Sequence, residues 1–344
     1  MADYRINMAL WQVPTLVVNT GLDSDNGYQR TLANTIASTP LDQRVALLRK
    51  RIEKADAFFS TTPGPVERRT VTVFAAPEYL FARSDSEHFI TDTEKNDIVD
   101  ALRLISRDFP HIVLFPGTIA WAKETQPGTA ETLHALAQQQ LGGKAVYSQN
   151  DLDGLKKAQK KKKNRFSLAR NTCYVMHGGE LLLEYHKRDN GNEVHPGSDG
   201  SQVYFVHGAT DSVFDAGGLS FGLKICAEVR TDLPRMVDVQ VVISASHRVT
   251  DTSMQLKPGG YCGHADAIVK PSVRRHEEGR YVEVSADKSR HGGGPITKKQ
   301  AGRRITQALS YKTNPKLVPD SEAYAEKVTE MRGRARYYRL DYST

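Results

Sequence analysis

The chain has 344 residues, of which 39% are hydrophobic and only three are cysteines. This length suits one large domain or two small ones, with enough apolar residues for a sizeable core. Three scattered cysteines exclude a disulfide framework and favour reduced thiols. No apolar run reaches the roughly 20 residues that cross a bilayer. The opening MADYRINMALWQVP lacks a long apolar segment, so we expect no signal peptide and a cytoplasmic protein without a membrane span.

The formal net charge is +7, and much of the excess is local. Seven basic residues and no acidic one fall in KKAQKKKKNR, residues 156–165. A solvated loop is the simpler interpretation of this lysine run, and an acidic macromolecular partner is the alternative. No aromatic residue is interleaved in KKAQKKKK, which disfavours stacking on nucleic-acid bases.

Strands and helices alternate in the first third of the chain. Residues 4–13 are mostly apolar and predict a buried strand. LDQRVALLRKRIEKADAFF, from Leu41, has apolar residues in alternating steps of four and three, which predict an amphipathic helix. A strand from Thr70 turns at Pro77, a second helix is predicted in DTEKNDIVDALRLISRDF, and a single strand covers 111–121. This alternation favours an α/β fold.

The second half predicts many short strands. Residues 122–168 differ in composition and predict an insertion, with a short helix near 131–140 and a mobile basic loop. NTCYVMHG, a GG turn and ELLLEYHK then predict an antiparallel hairpin. Residues 311–344 predict a C-terminal extension, with a helix in SEAYAEKVTEMRGRAR and an extended end. We expect residues 1–344 to form one domain. Its other predicted elements are one or two helical turns in TDLPRMVD and strands in VYFVHG, SVFDAG, LSFGLKIC, DVQVVISAS and RYVEVSAD.

Three predicted strands end in an isolated reactive side chain: Glu78, Lys187 and Cys226. Such side chains lie at the rim of a sheet, where sites are commonly built. A thiolate is a strong nucleophile, a carboxylate can take its proton, and an ammonium can stabilise an oxyanion. Together they could attack the carbon of an amide or a nitrile and hold it as a thioester or thioimidate. Singly, each also fits an ordinary role as a buried thiol or a solvated charge.

The sequence around these side chains resembles the nitrilase, or carbon–nitrogen hydrolase, superfamily. APEYLF is similar to the first motif of that family, NTCYVMHGGELLLEYHKRDN to the second and GLKICAEVR to the third. The order Glu, Lys, Cys is also the order in the family. Weaker likeness in the opening strand to Gln12, in NEVHPGSDGSQVYFV and in DVQVVISAS extends the resemblance over residues 4 to about 290.

The resemblance implies an α/β fold of the nitrilase type, a four-layer α-β-β-α sandwich. It implies that Glu78 is the general base, that Lys187 stabilises the tetrahedral intermediate, and that Cys226 is the nucleophile. Glu193 is the candidate for a second carboxylate that orients the site, with a plain loop carboxylate as the alternative. The backbone N–H of Ala227 is the candidate oxyanion donor.

The sequence departs from the family pattern after the cysteine, where Ala227 and Glu228 replace the commonest aromatic residue and Asp. We expect Glu228 and Arg230 to tie down the turn that follows Cys226. The stretch SASHRVTDTSMQLKPGGYCGHADAIVKPS is long where the family places a pocket loop, so the sequence leaves the substrate open. Two further residues are candidates for the substrate pocket, with ordinary packing as the alternative for both: Tyr79 and His247.

We expect no metal and no cofactor, because Cys262, His264 and Asp266 form only a weak metal-ligand pattern. The sequence therefore predicts a thiol-dependent hydrolase of a non-peptide carbon–nitrogen bond. An amide is the favoured substrate class, small molecules are the expected substrates, and a homo-oligomer, at least a dimer, is the expected assembly. A nitrilase, a carbamoyl hydrolase and an acyl transferase on the same scaffold are alternatives. A non-catalytic member of the fold that binds an acidic partner is another.

Overall fold

A computed structural model describes residues 3–13, 15, 39–61, 68–82, 89–125, 145–146, 166–188, 203–209, 211–245, 247–267, 270–287 and 334–343. The helices in these ranges are α1 (Leu41–Ser60) and α2 (Asp92–Asp108). The strands up to the predicted hairpin are β1 (Asp3–Gln12), β2 (Arg69–Ala75), β3 (Ile90–Thr91), β4 (Ile112–Phe115), β5 (Ile119–Thr125), β6 (Ala145–Val146), β7 (Phe166–His177) and β8 (Glu180–His186). The remaining strands are β9 (Val203–Phe205), β10 (His207–Gly208), β11 (Val213–Ala216), β12 (Leu219–Ile225), β13 (Val237–Ser244), β14 (Leu256–Asp266), β15 (Ser272–Glu277), β16 (Arg280–Val284) and β17 (Arg334–Ser343).

These strands form two large sheets. The first has the order β17-β1-β2-β4-β7-β5-β3, with β8 and β9 also pairing with β7. The second has the order β11-β12-β13-β14-β15-β16, and β6 pairs with β10 separately. Strands β1, β2 and β4 are parallel, and so are β12, β13 and β14. Their carboxyl ends therefore lie together at one edge of each sheet, where sites are commonly built.

The two sheets pack face to face across an apolar interface. In β1, Ile6 and Met8 point into this interface, whereas Ala9 and Trp11 belong to the cluster that α1 and α2 complete on the other face. The alternation follows from strand geometry, in which successive side chains point to opposite faces. Because both faces of the central strands are covered, the strands read in the sequence as nearly continuous apolar runs.

The predicted α/β sandwich is confirmed. The two helices cover the outer face of the first sheet, and α2 begins with a capping box between Thr91 and Glu94. On the outer face of the second sheet, the described residues contribute two short 3₁₀ turns, Cys226–Arg230 and Asp251–Ser253. Residues 321–333, most of the predicted C-terminal helix, lie outside the described residues. Neither of the described helices is long and apolar enough to cross a membrane.

Three predicted elements differ from the structure. The single strand expected at 111–121 is two strands, β4 and β5, because the chain turns at Gly117, whose φ is +83°. A Cβ at Gly117 would lie 2.3 Å from the carbonyl oxygen of Pro77. The stretch expected to be a long pocket loop contains β14 and ends at Ser272, the first residue of β15, and β14 pairs in parallel with β13. No helical turn forms in TDLPRMVD; the turn comes earlier, directly from Cys226.

The first sheet extends into both ends of the predicted insertion at 122–168. Strand β5 continues to Thr125, which pairs with Phe166 at the start of β7. Apart from β6, the residues between these strands lie outside the described ranges. They include the helix predicted near 131–140 and the lysine run. At the other end of the chain, the predicted extended end is confirmed as β17, which pairs with β1 along its whole length and includes three residues expected to be helical.

Candidate active site

Strand ends from the two sheets bring Glu78, Lys187 and Cys226 together. Glu78 and Lys187 follow β2 and β8 in the first sheet, and Cys226 follows β12 in the second. Lys187 Nζ lies 2.8 Å from Glu78 Oε1. The Cys226 thiol lies close enough to the Glu78 carboxyl for each group to shift the pKa of the other. Residues that are 109 positions apart, in the case of Glu78 and Lys187, thus form one cluster.

The turn that carries Glu78 is fixed by hydroxyl groups on both sides. The Thr15 hydroxyl donates to the carbonyl oxygen of Glu78 at 2.6 Å, and the N–H of Tyr79 donates to Thr118 Oγ1 at 2.9 Å. Tyr79 has a φ of +60°, a backbone region that side-chain-bearing residues seldom adopt. Such strain persists only where the surroundings over-determine it, and it is typical of functional sites.

A buried arginine holds the chain beyond this turn. Arg44, from α1, is 3% exposed and donates from Nη1 to the carbonyl oxygens of Leu80 at 3.1 Å and Ala82 at 2.5 Å. Its Nε donates to the carbonyl oxygen of Thr39 at 2.8 Å. Burial lowers the pKa of Arg44 to about 10, so the guanidinium keeps its charge at neutral pH. Helix α1 therefore holds the loop that follows Glu78 through Arg44.

Lys187 is held through its main chain and its side chain. Its N–H donates to the carbonyl oxygen of Asn171 at 2.8 Å, and its carbonyl accepts from the N–H of Gly208 at 3.0 Å. The side-chain amide of Asn171 donates to Glu78 Oε1 at 3.0 Å, the same oxygen that Lys187 contacts. No N–H or O–H donor among the described residues reaches Glu78 Oε2. Oε2 is therefore the oxygen that can take a proton.

The electrostatics of the Glu78 carboxyl suit a general base. Glu78 is fully buried, and Lys187 is 1% exposed. Burial raises the pKa of Glu78 above its ordinary 4.5, against the opposing charge of Lys187 and the hydrogen bonds from Lys187 and Cys226. A carboxylate with a raised pKa accepts a proton more readily near neutral pH than an exposed one does.

Cys226 occupies a strained turn and stays partly accessible. Its φ is +50°, and it opens the 3₁₀ turn directly after the buried strand β12. Burial and the negative charge of Glu78 raise the pKa of the thiol, whereas Lys187 and the backbone N–H of Ala245 lower it. The raised pKa favours the thiol over the thiolate.

The turn after Cys226 is anchored by Glu228, as the sequence predicts. This buried carboxylate accepts from the N–H of Ile225 at 2.9 Å and from the Tyr185 hydroxyl at 3.1 Å. It also accepts from the N–H of Arg188, the residue after Lys187. One side chain therefore ties the end of β12 in the second sheet to the end of β8 in the first. Arg230, the other residue expected to hold the turn, is exposed.

The other predicted site residues differ in how far they are buried and in whether the structure describes them. Tyr79 is 6% exposed, and Lys187 Nζ lies 5.8 Å from the centre of its ring. His247 is partly buried, and its pKa is lowered first by burial and then by the charge of Arg230. Ala227 lies in the 3₁₀ turn, directly after Cys226. Glu193 lies outside the described residues, so its role stays a prediction.

Cys262 lies in a different environment from the other two residues of the weak metal-ligand pattern, His264 and Asp266. Cys262 packs in the apolar cluster on the outer face of the second sheet. His264 Nε2 lies 2.8 Å from the Ser244 hydroxyl, and that hydroxyl also donates to Asp266. In the part of the chain that the structure describes, no group of three or more His, Cys, Asp or Glu side chains is placed to hold a metal ion.

Several residues that hold the site were not predicted from the sequence. Arg44 carries a signal that could have found it, because it occupies the buried stripe of α1 with Leu48 and Ile52. A charge on the apolar stripe of a helix needs buried partners. Asn171 is likewise a polar residue within a mostly buried strand. For Thr15 and Thr118, we find no signal in the sequence.

The fold is an α/β sandwich, and its candidate site is a buried Glu–Lys pair beside a cysteine with a strained backbone. No family model matches the chain, and no curated protein matches it. Among solved structures, the fold is similar to Nit3 of Saccharomyces cerevisiae, a member of branch 10 of the nitrilase superfamily. The identity is 14%, over 92% of this chain and 96% of that chain, with a TM-score of 0.39.

Two other solved structures give similar values. An amidase of Nesterenkonia AN1 from the nitrilase superfamily has 11% identity over 90% of this chain and 97% of its own, with a TM-score of 0.38. XC1258 of Xanthomonas campestris, a CN-hydrolase superfamily protein, has 9% identity over 91% of this chain and 98% of its own, with a TM-score of 0.36. All three belong to the superfamily that the sequence motifs resemble. Such low values carry no argument on substrate or activity.

Proposed function

We propose that this protein hydrolyses a non-peptide carbon–nitrogen bond, in first place an amide, through a thioester on Cys226. The observation that carries the proposal is the meeting of a buried base, an ammonium and a thiol at one edge of the two sheets. Lys187 Nζ and Glu78 Oε1 are 2.8 Å apart, and the Cys226 thiol lies beside the same carboxyl. Elsewhere in the described chain, the cysteines are fully or almost fully buried.

In the first half of the reaction, the Cys226 sulfur attacks the carbonyl carbon and its proton passes to Glu78. The π electrons of the carbonyl move to oxygen, and the resulting oxyanion is stabilised by Lys187 and by the N–H of Ala227. The C–N bond then breaks, and the leaving amine takes the proton from Glu78. A thioester on Cys226 remains, and the carboxylate is restored.

In the second half, water attacks the thioester carbon while Glu78 takes a proton from it. The C–S bond breaks as the tetrahedral intermediate collapses, and the departing sulfur recovers a proton from Glu78. The products are a carboxylic acid, an amine and the original thiol. A nitrile would instead form a thioimidate, and an amine acceptor in place of water would make the protein an acyl transferase.

The test is to trap the acyl group. Wild-type protein is mixed with small amides and the corresponding nitriles and quenched in acid during turnover, and the peptide that contains Cys226 is examined by mass spectrometry. We expect the mass of an acyl group on Cys226, and none on Cys226→Ala protein. Hydroxylamine added to the wild type would yield a hydroxamate if acyl transfer operates. Absence of any adduct, with no turnover of any amide or nitrile by the wild type, would contradict the proposal.

A further inference from the structure

A buried polar network lies at the ends of β13 and β14, next to the nucleophile. Ser244, His264 and Asp266 are each 3% exposed or less. The Ser244 hydroxyl donates to Asp266, and His264 Nε2 lies 2.8 Å from the same hydroxyl. The Ser244 hydroxyl also lies 3.3 Å from the carbonyl oxygen of His247. Because the Asp266 carboxylate is the nearer and charged acceptor, the single proton of Ser244 goes to Asp266, and His264 Nε2 then donates to Ser244. The mechanism proposed above uses none of these three side chains.

The network has a direct link to Cys226. Ile225, the residue before Cys226, pairs with Ile243 in the parallel ladder of β12 and β13, so Ser244 and Ala245 lie beside Cys226. The backbone N–H of Ala245 lowers the pKa of the Cys226 thiol. The carbonyl of Ser244 accepts from the N–H of Ala267 at 3.0 Å, which continues the pairing of β13 with β14 by one step. The peptide between Ser244 and Ala245 is therefore held in two ways. The Ser244 side chain is bound by Asp266 and His264, and the Ser244 carbonyl is bound by the N–H of Ala267.

We propose that Ser244, held by His264 and Asp266, is a positioning residue that aims the Ala245 N–H at the Cys226 sulfur. This inference rests on the proposed role of Cys226 as nucleophile. A fixed donor favours the negative charge that develops on sulfur when its proton leaves, and it needs no rearrangement at that moment. The network itself is closed to solvent, so it acts through the peptide and does not touch a substrate.

The experiment measures the alkylation of Cys226 by iodoacetamide as a function of pH, with the modified peptide identified by mass spectrometry. Ser244→Ala removes the hydroxyl, and we expect about tenfold slower alkylation of Cys226 at pH 7, since a hydrogen bond to a charged group is weakened. The midpoint of the pH profile should move upward. Ser244→Thr keeps the hydroxyl and should restore most of the rate.

A matched control lies on the same face of the same strand. Gln240 is fully buried, and its amide contacts the carbonyl of Ser253 at 2.8 Å and the N–H of Gln255 at 2.9 Å. Gln240→Leu should lower the melting temperature as Ser244→Ala does, yet leave the alkylation profile unchanged. Equal profiles for the two variants would overturn the inference.

The Asp266→Asn variant tests whether Asp266 acts by positioning Ser244 or by the effect of its negative charge on Cys226. The amide oxygen of Asn can still accept from Ser244, but more weakly than a carboxylate does. Positioning therefore predicts about threefold slower alkylation of Cys226. A charge effect alone predicts faster alkylation, because a negative neighbour disfavours the thiolate; acceleration would overturn the inference. If wild-type Cys226 reacts no faster than the buried Cys173 and Cys262, the proposed function fails first, and this inference falls with it.

Discussion

The two sides of the site are built for opposite demands. The proposed base side, Glu78 with Lys187, is buried, and its backbone is held by Thr15, Arg44 and Asn171. The nucleophile side, Cys226 with its 3₁₀ turn, is partly accessible and is anchored mainly by Glu228. Both sides have a residue with positive φ, at Tyr79 and at Cys226. An ion pair acts most strongly where water is excluded, whereas a nucleophile needs one open face for its substrate.

Removing the thiol should have the largest effect, because no other group on the nucleophile side can form the covalent intermediate. Cys226→Ala should abolish amide turnover and change the free energy of unfolding by only about 1 kcal/mol. Steady-state turnover and thermal melting measure the two effects. Cys262→Ala is the control, because this cysteine is 2% exposed in an apolar cluster and should affect stability without affecting turnover. Activity of Cys226→Ala within tenfold of the wild type would refute the nucleophile assignment.

Changing the base should remove a pH dependence. The pKa of Glu78 is raised by burial above its ordinary 4.5. A base must be deprotonated, so kcat/KM should rise with pH through this raised pKa, above the range of an exposed carboxyl. Glu78→Gln should lower kcat/KM by roughly 100- to 10,000-fold and abolish this acidic limb. An unchanged acidic limb in the variant would mean that another group is the base.

Removing the ammonium should affect the rate more than substrate binding. Lys187→Met keeps most of the side-chain length, and we expect the acylation rate to fall roughly 100- to 1,000-fold, as for the loss of an oxyanion donor. The substrate dissociation constant should change little, since the negative charge develops only in the transition state. The Lys187→Met substitution should also raise the pKa of Glu78 further, because in the wild type the charge of Lys187 lowers that pKa.

A second buried lysine provides the control for Lys187. Lys224 in β12 is 2% exposed and donates to the carbonyl of Ser253 at 2.9 Å. Lys224→Met should destabilise the fold and leave the acylation rate near that of the wild type. Normal acylation with weak binding in Lys187→Met protein would instead make Lys187 a substrate-binding residue.

The smallest effect is expected from Arg44→Met, which removes contacts on the base side alone. Arg44→Met leaves the carbonyl groups of Thr39, Leu80 and Ala82 without their guanidinium donor, which should lower the free energy of unfolding by about 2–4 kcal/mol. Turnover should fall roughly tenfold, since the base is displaced but present. Alkylation of Cys226 should stay unchanged. Arg49→Met, on the exposed face of α1, is the control.

If Arg44→Met slowed turnover and alkylation equally, the two sides of the site would be mechanically coupled, and the contrast between them would fail. If it slowed neither, the clamp on the loop after Glu78 would serve folding alone.

The sequence by itself determined the elements whose signal is local. The strand at 4–13, the helix from Leu41 and the hairpin after Asn171 follow from the spacing of apolar residues, which a short window contains. The three site residues were found because each follows such a strand, within a motif that resembles a known family. The break at Gly117 was missed because the apolar runs on either side of it read as one strand.

Only the tertiary structure decided which side chains complete the site. Asn171 reaches Glu78 across 93 positions, and Arg44 reaches Ala82 across 38. The pairing of β13 with β14 joins Ser244 to Asp266 in a stretch that the sequence predicted to be a pocket loop. A polar side chain in an apolar segment signals that a buried partner is needed. Its position along the chain does not say which partner it has, because sheet order and packing set that distance, and neither is a property of a short window.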